Sequence, residues 1–140
     1  MIDLPLEHLE RLKEAARSAS QHAYCPYSSC RVGAAALMSS GRFYSGCNAE
    51  NVSFGLTMCA ERNALFQAVA AGERTVRAVA VYTPTAEPTT PCGACLQVIQ
   101  EFGPDALIIC FSDGPQVRQF DLRSLLPHPF AKLPTDESSP

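Results

Sequence analysis

Apolar and polar residues follow two different periods along this chain, and the switches between them mark its elements. Leu6, Leu9, Leu12, Ala16 and Ala19 recur every three or four residues, with Glu7, Glu10, Arg11, Lys13, Glu14 and Arg17 between them. That spacing gathers the apolar set on one side of a helix from about Pro5 to His22. Cys25-Pro26-Tyr27-Ser28 cannot continue it, because a residue before proline is pushed out of the helical region. Val32 to Met38 is small and apolar, without helical spacing, and suits a buried strand. Ser39-Ser40-Gly41 turns the chain into a partner strand over Arg42 to Cys47, which makes a hairpin.

Asn48 to Thr57 is a polar, glycine-containing loop. Helical spacing returns from about Cys59 to Ala71, with Ala60, Ala64, Leu65, Ala68 and Val69 as the apolar stripe and Gly72 as the stop signal. Val76 to Thr83 is a strand of the buried kind, and Thr83 to Pro91 a Pro/Thr-rich loop. A third helix runs from about Gly93 to Phe102 and ends at Gly103-Pro104. Ala106 to Phe111 is another apolar strand, and Ser112-Asp113-Gly114-Pro115 is a turn. Val117 to Phe120 makes a last short strand, and Leu122 to Leu126 one helical turn or two. Helices alternating with strands predict an α/β layered domain with helices covering a mixed sheet. No internal repeat or boundary divides the 140 residues, so residues 1–131 read as one domain. Residues 132–140 lack core residues and read as a flexible tail.

Composition narrows the function classes. The formal charge is −3, and no Lys/Arg run stands out. A polynucleotide binder usually clusters basic residues on one face, so a small, nearly neutral ligand is expected instead. Met1-Ile2-Asp3-Leu4-Pro5 has no basic leader character, and no apolar stretch reaches membrane-spanning length. The expected location is the cytoplasm. Seven cysteines are an odd number. In a reducing compartment, metal binding or catalysis explains a subset of them better than disulfides do.

Three of these cysteines stand where chemistry is expected. Cys59 opens one predicted helix in Met58-Cys59-Ala60-Glu61, and Cys92 and Cys95 open the next in Pro91-Cys92-Gly93-Ala94-Cys95. A C-x-x-C pair grips a metal ion from one turn. A third thiolate completes a three-ligand zinc site whose fourth tetrahedral position stays open, as catalysis requires. Free N–H groups and the dipole at a helix start stabilise thiolates. Glu61 is badly placed for a fourth ligand but well placed to lean over a metal-bound water. This is the pattern in which nucleobase deaminases pair such a Glu with a distant Pro-Cys-x-x-Cys. Zinc acidifies its water, and Glu61 would move the proton to N3 of a pyrimidine while hydroxide attacks C4. Three thiolates leave the first shell at net −1. Arg62 can offset that by hydrogen bonding to a cysteine sulfur.

The remaining candidates read as ordinary. Cys110 lies in an apolar strand and behaves as a small hydrophobe. Cys25 and Cys47 flank loops with no second cysteine at ligand spacing. His8, His22 and His128 are scattered, and His8 falls on the polar part of the first helix, where it should be solvated.

Several segments together resemble the small, homotetrameric, zinc-dependent cytidine deaminases. They are Ala23-Tyr24-Cys25-Pro26-Tyr27-Ser28, Val32-Gly33-Ala34-Ala35, Gly46-Cys47-Asn48-Ala49-Glu50-Asn51, Cys59-Ala60-Glu61-Arg62, Pro91-Cys92-Gly93-Ala94-Cys95-Leu96-Gln97-Val98 and Leu125-Leu126-Pro127. The resemblance runs from about Leu9 to Phe130. It implies one zinc per subunit on Cys59, Cys92 and Cys95, with Glu61 as proton shuttle. It also implies a three-layer α/β/α sandwich around a five-stranded mixed sheet, and a tetramer whose neighbours complete each site. Asn48 and Glu50 would hold ribose hydroxyls, which suits an amide that donates and accepts and a carboxylate that accepts. The Ala60 backbone would touch the base. Without the resemblance, Asn48-Ala49-Glu50-Asn51 reads as an ordinary polar turn.

Two departures from the family pattern matter. Cys30, followed by Arg31, stands where the family usually has a Phe at the base end of the pocket. Losing the ring removes a contact worth about 0.5–1.5 kcal/mol beyond its area. Either the pocket is wider here, or another aromatic such as Phe54 or Phe130 compensates. Leu96 stands where the family often has Arg, which leaves more of the charge balance to Arg62. The resemblance implies deamination of cytidine and 2′-deoxycytidine in pyrimidine salvage. A modified cytosine nucleoside, including blasticidin-type antibiotics, is the alternative that Cys30 raises. A non-catalytic zinc-binding module is a third reading, against which Glu61 counts.

Overall fold

The structure is a computed structural model, and it describes residues 1–134. The elements follow the order α1 (Leu6–Ser20), β1 (Gly33–Met38), β2 (Phe43–Cys47), α2 (Ala60–Ala70), β3 (Val76–Thr83), α3 (Gly93–Phe102), β4 (Leu107–Ser112), β5 (Val117–Asp121) and α4 (Leu122–Leu125). A single 3-10 turn, Phe54–Leu56, interrupts the loop before α2. Among the described residues the order matches the sequence pattern. Of the tail expected at 132–140, residues 132–134 carry no helix or strand, and the rest lies outside the described residues.

The five strands form one mixed sheet in the order β2-β1-β3-β4-β5. Only β3 and β4 are parallel, with Val79 opposite Ile108. A parallel pair needs a crossover, and α3 supplies it. β1 is buried along its whole length because it has a strand on each side and a helix on each face. Its side chains alternate accordingly: Ala35 and Leu37 join Leu12 and Ala16 of α1, while Ala36 and Met38 join Leu65 and Ala68 of α2. The result is a three-layer sandwich with two cores.

Two glycines let the helices come this close. A Cβ on Gly33 would lie 1.8 Å from the Ala16 carbonyl oxygen, and one on Gly46 would lie 2.5 Å from the Ala64 nitrogen. α2 also seals the outer edge of β2. Its Asn63 and Gln67 amides each donate at 2.7 Å, to the Cys47 and Ser45 carbonyls. An edge strand whose carbonyls are taken is a poor template for further strands.

Two details of α1 differ from the pattern. Leu6 is exposed, and the buried set is Leu12, Ala16 and Ser20. Leu9 is only partly buried against the core that holds Leu12 and Ala16, so periodicity alone overstates the stripe. His8, expected in solvent, is half-buried. Its ring meets Phe43 edge-on at 5.9 Å, because Phe43 of the edge strand reaches up to α1, with Arg11 lying over its ring at 4.2 Å.

Connectivity fixes where chemistry can sit. α2 leads into β3 and α3 leads out of it, so both helices begin at the end of the sheet where β3 finishes. In open α/β sheets that end is where ligands bind.

Candidate metal centre and active site

Cys59 and Cys92 are the N-caps of α2 and α3, both with extended backbone (φ −73°, ψ 156° and φ −69°, ψ 165°). Neither thiol caps its helix, so both sulfurs are free to turn outward. Cys95 follows in the first turn of α3 and is fully buried. The three sulfurs lie within 4.8 Å of one another, and the Cys59 and Cys92 sulfurs are 3.9 Å apart. That is too long for a disulfide. Three sulfurs at about 2.3 Å from a tetrahedral zinc stand about 3.8 Å from each other, so the cluster fits the ion. Among the described residues no fourth His, Cys, Asp or Glu joins the group, which leaves one position for a water or a substrate.

Glu61 is in the first turn of α2, two residues past Cys59, and is 4% exposed. Burial pushes its carboxyl up to about 7, with the Cys59 charge adding to the rise. A buried acid beside an open metal position can carry a proton without binding the metal itself. Ala60 is fully buried between them in the same turn, where main-chain N–H groups have no partner within the helix.

Arg62 donates from Nη2 to the Cys59 sulfur at 3.4 Å. Cys59 is held below the ordinary thiol range, chiefly by hydrogen bonding with Cys95 and next by Arg62. Cys95 is held above it, chiefly because Cys59 takes the charge they share. The Arg62 Nε is buried without a partner, while Nη2 faces the Cys59 sulfur. Leu96 is 7% exposed and packs with Ile99 and Cys110 in the α2/α3 core, offering no charge here. Cys110 is likewise core, and burial pushes its thiol up to about 12.

A second cluster adjoins the first. Ala49 and Met58 exchange main-chain hydrogen bonds (3.0 and 2.9 Å), which ties the Asn48–Glu50 segment to the residue before Cys59. Asn48 and Glu50 are each 8% exposed. Asn48 accepts from the Val32 N–H at 2.9 Å and donates to the Cys30 carbonyl at 2.8 Å. Glu50 Oε1 accepts from the N–H groups of Tyr27 and Ser28 at 3.0 and 3.1 Å, and Oε2 accepts from the Ser28 hydroxyl. These bonds hold the Glu50 carboxyl below its usual range, the Ser28 hydroxyl first. The segment is therefore no ordinary polar turn.

The expected residues thus fall into two neighbouring groups: Cys59, Ala60, Glu61, Arg62, Cys92 and Cys95 in one, Cys30, Asn48 and Glu50 in the other. Phe54 is different. It is 61% exposed on the 3-10 turn and meets Tyr27 edge-on at 6.1 Å. Phe130 is exposed as well, its carbonyl taking a hydrogen bond from Gln97 at 2.7 Å. Neither ring is packed into a wall of the single chain. Ser28 escaped the sequence reading. It lies in the Pro26-Tyr27-Ser28 run, but nothing in the spacing links it to Glu50, 22 residues later.

Comparison with known proteins agrees with this geometry. Residues 6–111 match the family model described as the cytidine and deoxycytidylate deaminase zinc-binding region. The cytidine deaminase of Sporosarcina psychrophila is 41% identical over 125 residues, covering 89% of this chain and 92% of that protein. The cytidine deaminase of Halalkalibacterium halodurans is 45% identical over 120 residues, covering 85% and 90%. The crystal structure of cytidine deaminase from Burkholderia pseudomallei superposes with a TM-score of 0.83 at 45% identity, covering 86% of this chain and 98% of that one.

Proposed function

Because the chain belongs to the cytidine and deoxycytidylate deaminase zinc-binding family, we propose that it hydrolyses the 4-amino group of cytidine and 2′-deoxycytidine, giving the uridines and ammonia. The observation that carries this reading is the pairing of three convergent thiols with the buried, unligated Glu61. A purely structural zinc site closes its fourth position and has no use for such a carboxyl.

One zinc, which Cys59, Cys92 and Cys95 would hold, would supply a Lewis acid and an acidified water at neutral pH. Glu61 would accept a proton from the attacking water and pass it to N3 of the ring; it would then accept the proton of the new C4 hydroxyl and pass it to the amino nitrogen, which leaves as ammonia as the C4 carbonyl forms. The Ala60 main chain orients the base. Arg62 steadies the sulfur charge. Asn48 and Glu50 receive sugar hydroxyls, and Cys30 and Phe54 border the nucleoside.

The substrate is a free nucleoside rather than a polymer, in keeping with the −3 charge. The partner is a second copy of the chain, and the assembly a tetramer. Tyr24, Tyr27, Val52, Phe54 and Leu56 leave an exposed apolar strip beside the second cluster, which supports a neighbour covering it. No helix among the described residues is long and apolar enough to cross a membrane. The seven free thiols suit a reducing cytoplasm and a place in pyrimidine salvage. Residues 1–131 act as one unit.

The test is ammonia release by the zinc-loaded protein on cytidine, 2′-deoxycytidine, adenosine, 5-substituted cytidines and blasticidin S. Glu61→Ala is the control, expected to lose about 10²–10⁴-fold in turnover with zinc retained. Turnover of plain cytidine that disappears in the control supports the reading. Activity confined to a bulkier analogue would overturn the substrate and make Cys30 the mark of a widened pocket. Zinc binding with no turnover of any substrate would favour the non-catalytic module.

A further inference from the structure

Ser29 is the one non-glycine residue at positive φ among the described residues, at 60°. Such a conformation costs energy and persists where the surroundings enforce it. Here it turns the chain so that the Cys30 N–H donates back to the Ser28 Oγ at 3.0 Å. With its oxygen so engaged, the Ser28 hydroxyl points its proton at Glu50 Oε2.

A carboxylate offers about four acceptor directions. Tyr27 and Ser28 N–H groups occupy two at Oε1, and the Ser28 hydroxyl occupies one at Oε2. One direction remains, on Oε2. Asn48 has likewise spent one of its two N–H groups, on Cys30. The rigid clasp leaves the carboxylate a single acceptor to offer.

We propose that Ser28 is a positioning residue for nucleoside binding: its hydroxyl, held by the Cys30 N–H, fixes Glu50 so that the last free direction of Oε2 meets a sugar hydroxyl. This rests on the reading of Glu50 as a sugar-holding residue. Without the hydroxyl, Oε2 has two open directions and the carboxylate is free to turn about its Oε1 contacts. Charge-assisted hydrogen bonds of this type are the strong ones, so their loss is felt in binding.

Ser28 is exposed, so Ser28→Ala removes the hydroxyl without opening a cavity, and Ser28→Thr keeps the hydroxyl. The experiment measures kcat and KM of the zinc-loaded variants, and of Glu50→Gln, on cytidine, 2′-deoxycytidine and 3′-deoxycytidine. Ser28→Ala should raise KM for cytidine about tenfold with kcat within about twofold, and Ser28→Thr should restore it. On the deoxy analogue to which Glu50→Gln is indifferent, Ser28→Ala should have no effect. An equal loss on all three substrates marks a merely structural loop and overturns the proposal, as does an unchanged KM for cytidine. If Glu50→Gln is selective and Ser28→Ala is not, only the role of Ser28 fails. If Glu50→Gln itself spares every KM, the sugar role of Glu50 fails and takes the proposal with it.

Discussion

The two halves of the site are built on opposite principles. The thiol cluster sits on the first turns of two helices, backed by a buried core, and its polar atoms face one another. It is unfinished without a cation: three sulfurs gathered within 4.8 Å have few protein partners beyond Arg62. The Asn48–Glu50 clasp is nearly complete within the chain, each side chain holding the 27–32 loop by several hydrogen bonds. Rigid elements hold the group that makes chemistry possible. A loop that pays for its own order presents the group proposed to select the substrate. Damage to the first should therefore be all-or-none, and damage to the second graded.

The largest expected effect tests the all-or-none half. Cys95 is fully buried and shares its proton with Cys59. Cys95→Ala leaves two sulfurs, which cannot hold zinc against competing thiols and water. Activity should fall by at least about 10³-fold, with bound zinc near zero by elemental analysis. Full zinc occupancy in that variant would mean that a different ligand set holds the metal.

Arg62 sharpens the contrast at intermediate size. Leu96 is packed in the core, so Arg62 alone brings a guanidinium to the sulfurs. Arg62→Ala should cost about 10–100-fold in zinc affinity or turnover, as loss of a hydrogen bond to a metal ligand typically does. Chelator competition and steady-state rates measure it. Wild-type-like values in both would show that helix dipoles suffice to balance the thiolates.

The sequence made the two halves legible to different degrees, for a physical reason. Cys59, Glu61, Cys92 and Cys95 were readable because helix starts are written locally: a cap, a C-x-x-C spacing and an apolar stripe all lie within a few residues. The strand and helix order was readable for the same reason, down to Val76–Thr83 and Gly93–Phe102. The clasp depends on partners 16 to 23 residues apart, on a left-handed Ser29, and on a bridge between Tyr24 and Ala49. No periodicity encodes these. Residue identity alone made the Asn48–Glu50 segment a turn, and only the resemblance gave it a role. His8 failed similarly, since its burial depends on Phe43 from a different element.

The smallest effect belongs to the clasp and concerns acid stability. Hydrogen bonds from the Ser28 hydroxyl, and then from main-chain N–H groups, favour the charged form of Glu50, so its folded pKa is depressed below the ordinary carboxylate value. A depressed folded pKa means that the unfolded chain takes up the proton first. The stabilisation is then present above the unfolded value and is lost as pH falls through the folded one. Wild-type protein should lose this contribution in the mildly to strongly acid range, below about pH 4.5. Glu50→Gln has no charge to lose there. Its Tm should lie slightly below wild type at pH 7, and the gap should close as the pH is lowered toward 3. Zinc release and thiol protonation affect both proteins alike, so the difference between the two melting curves isolates the clasp. A gap that stays constant from pH 7 to 3 would mean that Glu50 is held as a neutral acid or contributes only by its shape, and the division between a metal-dependent corner and a charge-closed loop would not stand.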